Sequence, residues 1–454
     1  MTAGYETRRP RCRYCLNILL ILVLEIVVCF HVLASIHSPA ANPSPSLGVK
    51  PTAEVTGQHE SADPDFRLGL DDVVLVIKTG ATELLQKLPV HFETTLKRWP
   101  HVVLLSDFEE EVDGHQIHDA LDIVSEDIRK DRPDFELWRR LKQSGRGALV
   151  ASDIESGEQI QWVATAEGNR QAGWHLARFM NLPMTVKAQN YRADAKWYVF
   201  IDADTFISWS NTLRILQHLD HTKPHYLGSQ VAMGPGQFFA HGGSGYALSQ
   251  AALSAVVDRY LSERELWDRI ADEGEFGEVP LALALMISSI PLTWTFPLFQ
   301  GGKPLDMNFA GFKHGRNLWC YPAVTYHHTS REEIIDLAEF EDAWNSERRA
   351  DRPFHHSDVF RRWALPLLHR SGEDLDNLSE ELVEGVENSR ECQASCHKSQ
   401  SCLQWSFGVG ECRIDSGYPR VGVSRPGYTS GWSLDRIEEL VKALDRQCED
   451  GIFV

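Results

Sequence analysis

A continuous apolar run that ends in two acidic residues constrains this fold more than any other feature of the chain. The run is WYVFIDADTF, residues 197–206. Its first five residues are all apolar, which is typical of a strand buried on both faces. Asp202 and Asp204 follow where the strand leaves its sheet. Because residues i and i+2 of an extended chain point the same way, we expect both carboxylates to face one hard divalent cation. A solvated strand end or a helix-capping loop is the open alternative.

Similar apolar runs elsewhere predict a parallel sheet with helical crossovers. DDVVLVIKTG at 71–80 is followed by a helical stretch interrupted by Pro89, and HVVLLSD at 101–107 supplies a second strand. Strand, helix and strand at this spacing indicate an α/β domain, which we place at residues 69–350. PLTWTF and AVTYHH predict later strands. After the acidic pair, a helix capped by Ser210 or Asn211 is expected.

The charge balance limits the partners that such a domain can bind. Lys and Arg total 45 and Asp and Glu total 64, so the formal net charge is −19. This charge repels phosphate backbones and argues against nucleic-acid binding as the main function. An anionic substrate then requires a bound cation or a local cluster of Lys and Arg.

The N-terminal region predicts a membrane anchor. Residues 16–36 form an apolar segment of membrane-spanning length, with four arginines before it and no Lys or Arg after it until Lys50. We interpret residues 1–15 as a cytosolic tail, 16–36 as a retained signal anchor and 37–68 as a Pro- and Ser-rich flexible stem. A cleaved signal peptide is the competing interpretation. The remaining chain is expected on the lumenal side of a Golgi or endoplasmic-reticulum membrane.

Cysteine spacing predicts a disulfide-rich module near the C-terminus. Six cysteines follow the anchor, and four of them, Cys392, Cys396, Cys402 and Cys412, lie close together. This density favours disulfides in an oxidising compartment over a zinc knuckle, because the paired C-x2-C spacing of zinc ribbons is missing. Asn377-Leu378-Ser379 is an N-glycosylation sequence available only in a lumenal protein.

Two further segments add candidate site residues. Gly242 and Gly243, in FFAHGGSGYALS, permit a tight turn and close approach of a ligand, and we expect them to connect a strand to a helix beginning near Ser249. An ordinary flexible connection is the alternative. His327 and His328 end the AVTYHH strand. Adjacent strand residues face opposite ways, so only one histidine is expected to reach a site.

These segments together resemble the fringe-like and core-1-synthase-like β-1,3-glycosyltransferases of glycosyltransferase family 31, especially the fungal branch. The resemblance rests on WYVFIDADTF, YLGS at 226–229, FAHGGSGYALS, GEVPLALAL and VTYHHTS, in this order, and covers about residues 72–345. It implies a GT-A fold, a mixed sheet flanked by helices, with a UDP-sugar donor, a divalent metal such as Mn²⁺ and inversion at the anomeric carbon. The resulting activity is transfer of a sugar to a glycan hydroxyl in a β-1,3 linkage.

The resemblance also assigns residues. Asp202, Asp204 and His327 are the expected metal ligands, and Lys78, Asp202, Asp204, Gly242 and Gly243 are expected to bind the donor. Relatives carry Gly-Asp where this chain has Gly277-Glu278, so Glu278 is the expected catalytic base. Asp272, Glu273 and Glu275 lie near enough to be confused with it. The alternative interpretation is that Glu278 only begins a helix, where an acid is favourable and Pro280 lies in the first turn.

The cysteine cluster resembles a PAN/apple-like module, at residues 386–454 and preceded by a linker at 351–385. Such modules bind protein or carbohydrate, so this one either positions an acceptor or only stabilises the chain. The oligomeric state is open. A non-catalytic lectin-like receptor that keeps the fold is the main alternative function, and a metal-dependent hydrolase is a second.

Overall fold

The strand Val73–Lys78 lies at the centre of the protein because its apolar side chains pack on both sides of a sheet. The structure is a computed structural model that describes residues 68–154, 172–234, 236–346, 352–370 and 372–448. Val74 and Val76 pack into one apolar cluster, and Val73, Leu75 and Ile77 pack into another on the opposite face. The neighbouring strand Trp197–Asp202 divides its side chains in the same way. The predicted continuous apolar strands are therefore confirmed.

The central sheet is mixed, and it has eight strands among the described residues. Their order across the sheet is Leu292–Trp294, Tyr226–Gly228, Tyr246–Ser249, Trp197–Asp202, Val73–Lys78, Val102–Ser106, His115–Asp119 and Glu110–Val112. The two strands either side of Val73–Lys78 are parallel to it, whereas Tyr246–Ser249 runs antiparallel to Trp197–Asp202. The predicted mixed α/β sheet is confirmed.

Smaller sheets and hairpins complete the first part of the chain. A three-stranded sheet has the order Phe299–Gln300, Thr325–Tyr326 and Phe206–Ile207, and two hairpins pair Gln230–Gly234 with Gln237–Ala240 and Phe312–Lys313 with Arg316–Asn317.

Helices flank the sheets. They span Leu84–Lys87, Pro89–Glu93, Glu126–Asp131, Glu136–Ser144, Ala151–Ile154, Ala172–Ala177, Asn181–Tyr191, Trp209–Leu216, Gln250–Ser262, Arg264–Glu273, Glu278–Ile287, Arg331–Ser346, His356–Val359, Leu365–Leu367, Ser389–Lys398 and Leu434–Asp445.

Two local sequence predictions are wrong. The helix Trp209–Leu216 is capped by Ser208, whose hydroxyl accepts a hydrogen bond from the Asn211 N–H, rather than by Ser210 or Asn211. The Gly242–Gly243 loop leads into a strand, Tyr246–Ser249, rather than directly into a helix, because this short segment pairs with two neighbouring strands. The helix itself begins at Gln250 with Ser249 as its cap, as predicted.

A second sheet forms near the C-terminus and begins earlier than residue 386. In the part of the chain that the structure describes, this sheet has five strands in the order Gly372–Asp376, Val423–Trp432, Gln404–Gly408, Glu411–Asp415 and Glu381–Val383. Much of the predicted linker, 351–385, is therefore regular structure: it holds helices and two strands of this sheet. The sequence hides them because these strands are short and half of their residues are exposed. The likeness to PAN/apple modules stays a prediction.

Disulfides hold the second sheet and its helices, as predicted, and the structure gives their pairing. Cys392 is bonded to Cys412 and Cys396 to Cys402, within the cysteine cluster. Cys320 is bonded to Cys448, at a sequence separation of 128 residues. All the described residues belong to one compact unit, 62–454, so this last bond joins the chain's end to the same body as the central sheet.

Asn377 is part of the packing of the second sheet. Its side chain is fully buried, and its Nδ2 donates to the backbone carbonyl of Trp405 at 3.0 Å. The Ser379 hydroxyl donates to the Asn377 side-chain oxygen at 2.8 Å. A glycan on this nitrogen is incompatible with the folded sheet, so the glycosylation sequence here has a structural role.

No helix of the described ranges is long and apolar enough to cross a membrane. The predicted tail (1–15), anchor (16–36) and the stem up to residue 67 lie outside the described residues.

Candidate active site

Two neighbouring parallel strands bring Lys78 and Asp202 to the same edge of the central sheet. The two residues are direct partners in the strand register. The Lys78 Nζ lies 3.0 Å from an Asp202 carboxylate oxygen. Burial alone would lower the pKa of Lys78, but the attraction of Asp202 and Glu278 is larger in sum and holds this pKa above its ordinary value. Lys78 is therefore a largely buried cation that pairs with Asp202 and is also attracted by the charge of Glu278.

The segment after Asp202 is held by hydrogen bonds from several elements. The Ala203 N–H donates to the Lys78 carbonyl at 2.9 Å. The Ala203 carbonyl lies 2.9 Å from Nε2 of His91, which is fully buried in the helix Pro89–Glu93. The Asp204 carbonyl accepts from both the N–H and the hydroxyl of Thr329, at 3.0 and 2.9 Å. The positions of both acidic side chains are thus fixed through the backbone.

Asp204 lies among positively charged and imidazole groups. Its carboxylate oxygens are 3.1 Å from His327 Nε2, 3.7 Å from His328 Nδ1 and 2.9 Å from Lys87 Nζ. Burial would raise the pKa of Asp204, but the hydrogen bonds from His327 and His328 and the neighbouring charges outweigh it, so this pKa is held well below its usual range. The surroundings of Asp204 therefore favour its charged carboxylate form.

Asp204, His327 and His328 form a group that can hold a metal ion. One ligand atom from each of the three lies within 4.8 Å of the others. His327 is 7% exposed, and its buried Nδ1 has no hydrogen-bond partner among the described residues. A carboxylate with two imidazoles can hold a divalent first-row metal ion, and the carboxylate is the ligand type that suits Mn²⁺. The residues present therefore suit the group that the sequence implies.

The expected ligand set and the observed group differ at two positions. Asp204 and His327 are shared, but Asp202 is paired with Lys78 and is absent from the group. His328 belongs to it, so the prediction that only one histidine reaches the site is wrong. The strand ends at Tyr326, and His328 has φ +57°. Strand alternation therefore no longer applies, and the two imidazoles stack with their centroids 3.7 Å apart.

The glycine loop provides space for two side chains from other segments. A Cβ on Gly242 would lie 2.2 Å from Oε1 of Glu278, and a Cβ on Gly243 would lie 2.2 Å from Cε1 of His327. The Thr205 hydroxyl donates to the Gly243 carbonyl at 2.9 Å and fixes the loop. Any larger residue at either position would displace the carboxylate or the imidazole.

Glu278 is the first residue of the helix Glu278–Ile287, and its carboxylate also lies at the glycine loop. Burial raises the pKa of this carboxyl, and the Lys78 charge and the Gly242 N–H oppose the rise without cancelling it. A carboxylate with a raised pKa is a better proton acceptor than an ordinary one. Both interpretations of Glu278, helix start and site residue, agree with its position.

The three acids near Glu278, which are Asp272, Glu273 and Glu275, differ in their contacts and in whether they line the cavity. Asp272 forms ion pairs with Arg132 and Arg178. Glu275 lines the same cavity as Glu278, whereas Asp272 and Glu273 are not among the lining residues. Glu278 and Glu275 are therefore the two acids of this segment that remain candidates for the base.

Most of the residues described above line one cavity of about 760 Å³. Of the residues predicted from sequence, Lys78, Asp202, Asp204, Gly243, Glu278 and His327 line it, and Gly242 lies behind Glu278. Lys87 and an apolar wall that includes Phe276 also line the cavity and were not predicted from the sequence, and His328 lines it together with His327 although only one of the two was expected there. Lys87 has a weak signal, since it is a cation close after the KTG that ends the first strand, but nothing in the sequence connects it to Asp204.

The fold and the cavity are those of a mixed α/β protein with a candidate metal-binding and acid–base site. Residues 153–279 match the Fringe-like family model. This match includes the acidic strand end, the glycine loop and Glu278, and it supports a glycosyltransferase. It spans well under half of the chain.

Two solved structures are similar over longer stretches. One is a glycosyltransferase involved in the glycosylation of the major capsid of PBCV-1, with 16% identity over 40% of this chain and 81% of that chain and a TM-score of 0.23. The other is the galactosyltransferase LgtC in complex with donor and acceptor sugar analogues, with 11% identity over 60% of this chain and 99% of that chain and a TM-score of 0.30. At these TM-scores no conclusion about this chain rests on either likeness.

Proposed function

We propose that the protein is a metal-dependent inverting glycosyltransferase of the GT-A type, which transfers a sugar from a UDP-sugar to a glycan hydroxyl in a β-1,3 linkage. One observation carries the proposal: a single cavity contains the group of Asp204, His327 and His328, and also Glu278 with its raised pKa. The group of three residues suits a cation that binds a diphosphate, and Glu278 suits a base that accepts the proton of an acceptor hydroxyl.

The proposed roles follow from charge and position. A divalent ion held by Asp204, His327 and His328 would neutralise the donor diphosphate as it leaves. Glu278 accepts the proton of the acceptor hydroxyl while that oxygen bonds to the anomeric carbon. The bond from this carbon to the diphosphate oxygen breaks on the opposite face, so the configuration inverts and UDP leaves with the bonding electrons. Lys78 keeps positive charge beside Asp202 and Glu278 throughout.

The remaining parts of the proposal come from the sequence alone. We place the enzyme in a Golgi or endoplasmic-reticulum membrane, held by residues 16–36 with its catalytic domain in the lumen. The C-terminal sheet is proposed as a PAN/apple-like module. Among the described residues that line the cavity, none comes from this sheet. If the module positions an acceptor, it acts on a part of the acceptor outside the cavity.

UDP release by the full chain tests the reaction. Turnover of a UDP-sugar is expected only with Mn²⁺ and a glycan acceptor, and chelation should abolish it. Glu278→Gln should lower kcat by about 10²–10⁴ while Mn²⁺ and UDP still bind. Glu275→Gln is the matched control, because it removes an acid of the same cavity, and it should keep most activity. Equal losses in the two variants would contradict the assignment of the base.

Metal binding is tested separately by calorimetry with Mn²⁺. Asp204→Ala should lose most of the affinity, and Asp202→Asn should lose less because Asp202 is outside the group formed by Asp204, His327 and His328. Full turnover in both variants would refute the metal site. Sugar release to water with no acceptor requirement would indicate a hydrolase, and glycan binding independent of UDP and metal would indicate a lectin-like receptor.

A further inference from the structure

The cavity has one wall that the reaction chemistry above does not use. It consists of Val231, Met233, Phe239, Phe276 and Val279, which we call the apolar wall. Phe239 lies opposite Val231 in the hairpin of Gln230–Gly234 and Gln237–Ala240. Phe276 lies two residues before the helix Glu278–Ile287, and Val279 is the second residue of that helix. Two distant segments thus build one apolar surface beside the proposed base.

Phe276 is the exposed member of this wall. It is 43% exposed, whereas Phe239 beneath it is 5% exposed. Their rings are stacked, with centroids 6.2 Å apart and an interplanar angle of 27°. Phe239, Val231 and Met233 also pack against the main core, so the hairpin supports the Phe276 ring from below. An exposed aromatic ring on a supported surface inside a cavity is a surface for a ligand with an apolar face.

The chemistry of the wall limits what this ligand can be. The wall itself has no charged side chain, so a phosphate or a carboxylate gains nothing from it. Phe276 is two residues before Glu278, and both line the cavity. The occupant must therefore present an apolar face to Phe276 and a hydroxyl to Glu278 at the same time. A pyranose ring does both, since its C–H groups form a face and its hydroxyls project from the edge.

We propose that the apolar wall is the acceptor subsite, and that it binds a pyranose residue by stacking the C–H face of the sugar on Phe276. This inference rests on the proposed function, in which Glu278 receives the acceptor proton. It makes the acceptor a sugar rather than the side chain of a serine or threonine, because a single hydroxymethyl or hydroxyethyl group has no face to cover the ring.

The test is binding of simple glycosides to the full chain in the presence of Mn²⁺ and UDP. Saturation-transfer NMR would use the methyl glycosides of galactose, glucose, mannose and N-acetylglucosamine, with a capped serine peptide and a capped threonine peptide for comparison. At least one glycoside should receive saturation, strongest at C–H protons of one ring face. Phe276→Ala should reduce this signal several-fold, and Phe276→Tyr should restore it because the ring is kept.

The matched control is Phe312→Ala. Phe312 is 73% exposed and is not among the lining residues of the cavity, so its loss removes a similar ring without touching the wall. In steady-state kinetics with an active acceptor, Phe276→Ala should raise the acceptor KM about tenfold, or about 1.4 kcal/mol. In the Phe312→Ala control, the KM for the acceptor and the KM for the UDP-sugar should both stay at their wild-type values.

Three results would overturn the inference: saturation of none of the glycosides, the same glycoside signal in Phe276→Ala as in Phe312→Ala, or Phe276-dependent binding of a serine or threonine peptide. Failure of the proposed function looks different, because it shows as wild-type protein that neither binds Mn²⁺ nor turns over a UDP-sugar.

Discussion

The buried imidazole of His91 fixes the segment from Asp202 to Asp204 through a hydrogen bond to its middle residue, Ala203. The Ala203 carbonyl needs an N–H donor, so His91 carries its proton on Nε2, and the Thr95 hydroxyl donates to Nδ1 at 2.9 Å. Burial lowers the pKa of His91 to about 4, although the bond to Ala203 opposes this shift. His91 is therefore neutral near pH 7 and acts as a fixed hydrogen-bond donor.

We expect His91→Leu to weaken Mn²⁺ binding without touching a ligand. The change leaves the Ala203 carbonyl buried without its side-chain donor, which costs about 1–3 kcal/mol, and it loosens the turn before Asp204. His91→Gln should recover much of both losses, since its amide can still donate. Calorimetry with Mn²⁺ and hydrogen exchange of the peptide containing 202–205 would measure the effect. Unchanged exchange there in His91→Leu would contradict this positioning role.

Gly243→Ala tests the close contact of the glycine loop with His327. The added methyl group would lie 2.2 Å from the ring, so the imidazole must move away from its place beside Asp204. Mn²⁺ affinity should fall at least tenfold, while the thermal midpoint falls modestly. Gly147→Ala is the control, because a Cβ there meets nothing within 4 Å. Equal Mn²⁺ affinity in the two variants would argue against His327 as a ligand.

At the scale of elements, one carboxylate joins two helices. Glu341, in the helix Arg331–Ser346, is 2% exposed and accepts hydrogen bonds from the Ser208 hydroxyl at 2.6 Å and from the Ser210 N–H at 2.9 Å. These donors belong to the start of the helix Trp209–Leu216. Burial raises the pKa of Glu341 from 4.5 to about 7, although the serine hydrogen bonds oppose the rise.

This pKa predicts a loss of stability as the pH rises. Between about pH 4.5 and 7 the unfolded chain has released the Glu341 proton while the folded protein retains it, so the unfolding free energy falls across this window. The loss is about 3 kcal/mol by pH 7. Glu341→Gln should reduce the dependence measured by chemical denaturation between pH 4.5 and 7. Glu339→Gln, an exposed acid of the same helix, should not. Parallel curves for wild type and Glu341→Gln would contradict the prediction.

Element by element, the sequence predicts what depends on local apolar pattern and misses what depends on pairing. Val73–Lys78 and Trp197–Asp202 were predictable because a doubly buried strand is continuously apolar. The register that places Lys78 opposite Asp202, and the position of Tyr246–Ser249 between two strands, depend on contacts distant in the chain. The approach of both His327 and His328 to the site was not predicted, because the left-handed backbone of His328 follows from the turn after Tyr326 rather than from residue type. Phe276 and Phe239 meet only through the fold.

At the scale of the whole molecule, the last helix among the described residues is fastened to the body that carries the site. The helix Leu434–Asp445 ends beside Trp319, whose indole N–H donates to Asp445 at 2.8 Å. Arg361 binds the same carboxylate at 2.6 Å, and its guanidinium lies 4.9 Å from the centre of the Trp319 ring. Ile437 and Leu444 join the apolar cluster that contains Trp319 and Phe360. The Cys320–Cys448 disulfide closes this contact covalently.

The long-range disulfide and the short-range disulfide should therefore differ in how much they stabilise the fold. In the chain-entropy estimate, a bond between residues 128 apart, such as Cys320–Cys448, stabilises the fold by roughly 5 kcal/mol, and one between residues 6 apart, such as Cys396–Cys402, by roughly 2 kcal/mol. Replacing Cys320 and Cys448 with alanine should lower the thermal midpoint more than replacing Cys396 and Cys402. Both pairs contain a buried sulfur, so packing losses partly cancel in the comparison.

Neither replacement removes a lining residue of the cavity, so binding of Mn²⁺ at a temperature well below the midpoint should survive in both variants. Calorimetric scanning and Mn²⁺ titration of the same samples would separate the two effects. A larger midpoint loss for the Cys396 and Cys402 pair would show that the long-range bond contributes little, because the contact of Trp319, Arg361 and Asp445 already holds the helix in place. Loss of Mn²⁺ binding in the folded Cys320 and Cys448 variant would show instead that the terminal helix supports the geometry of the site.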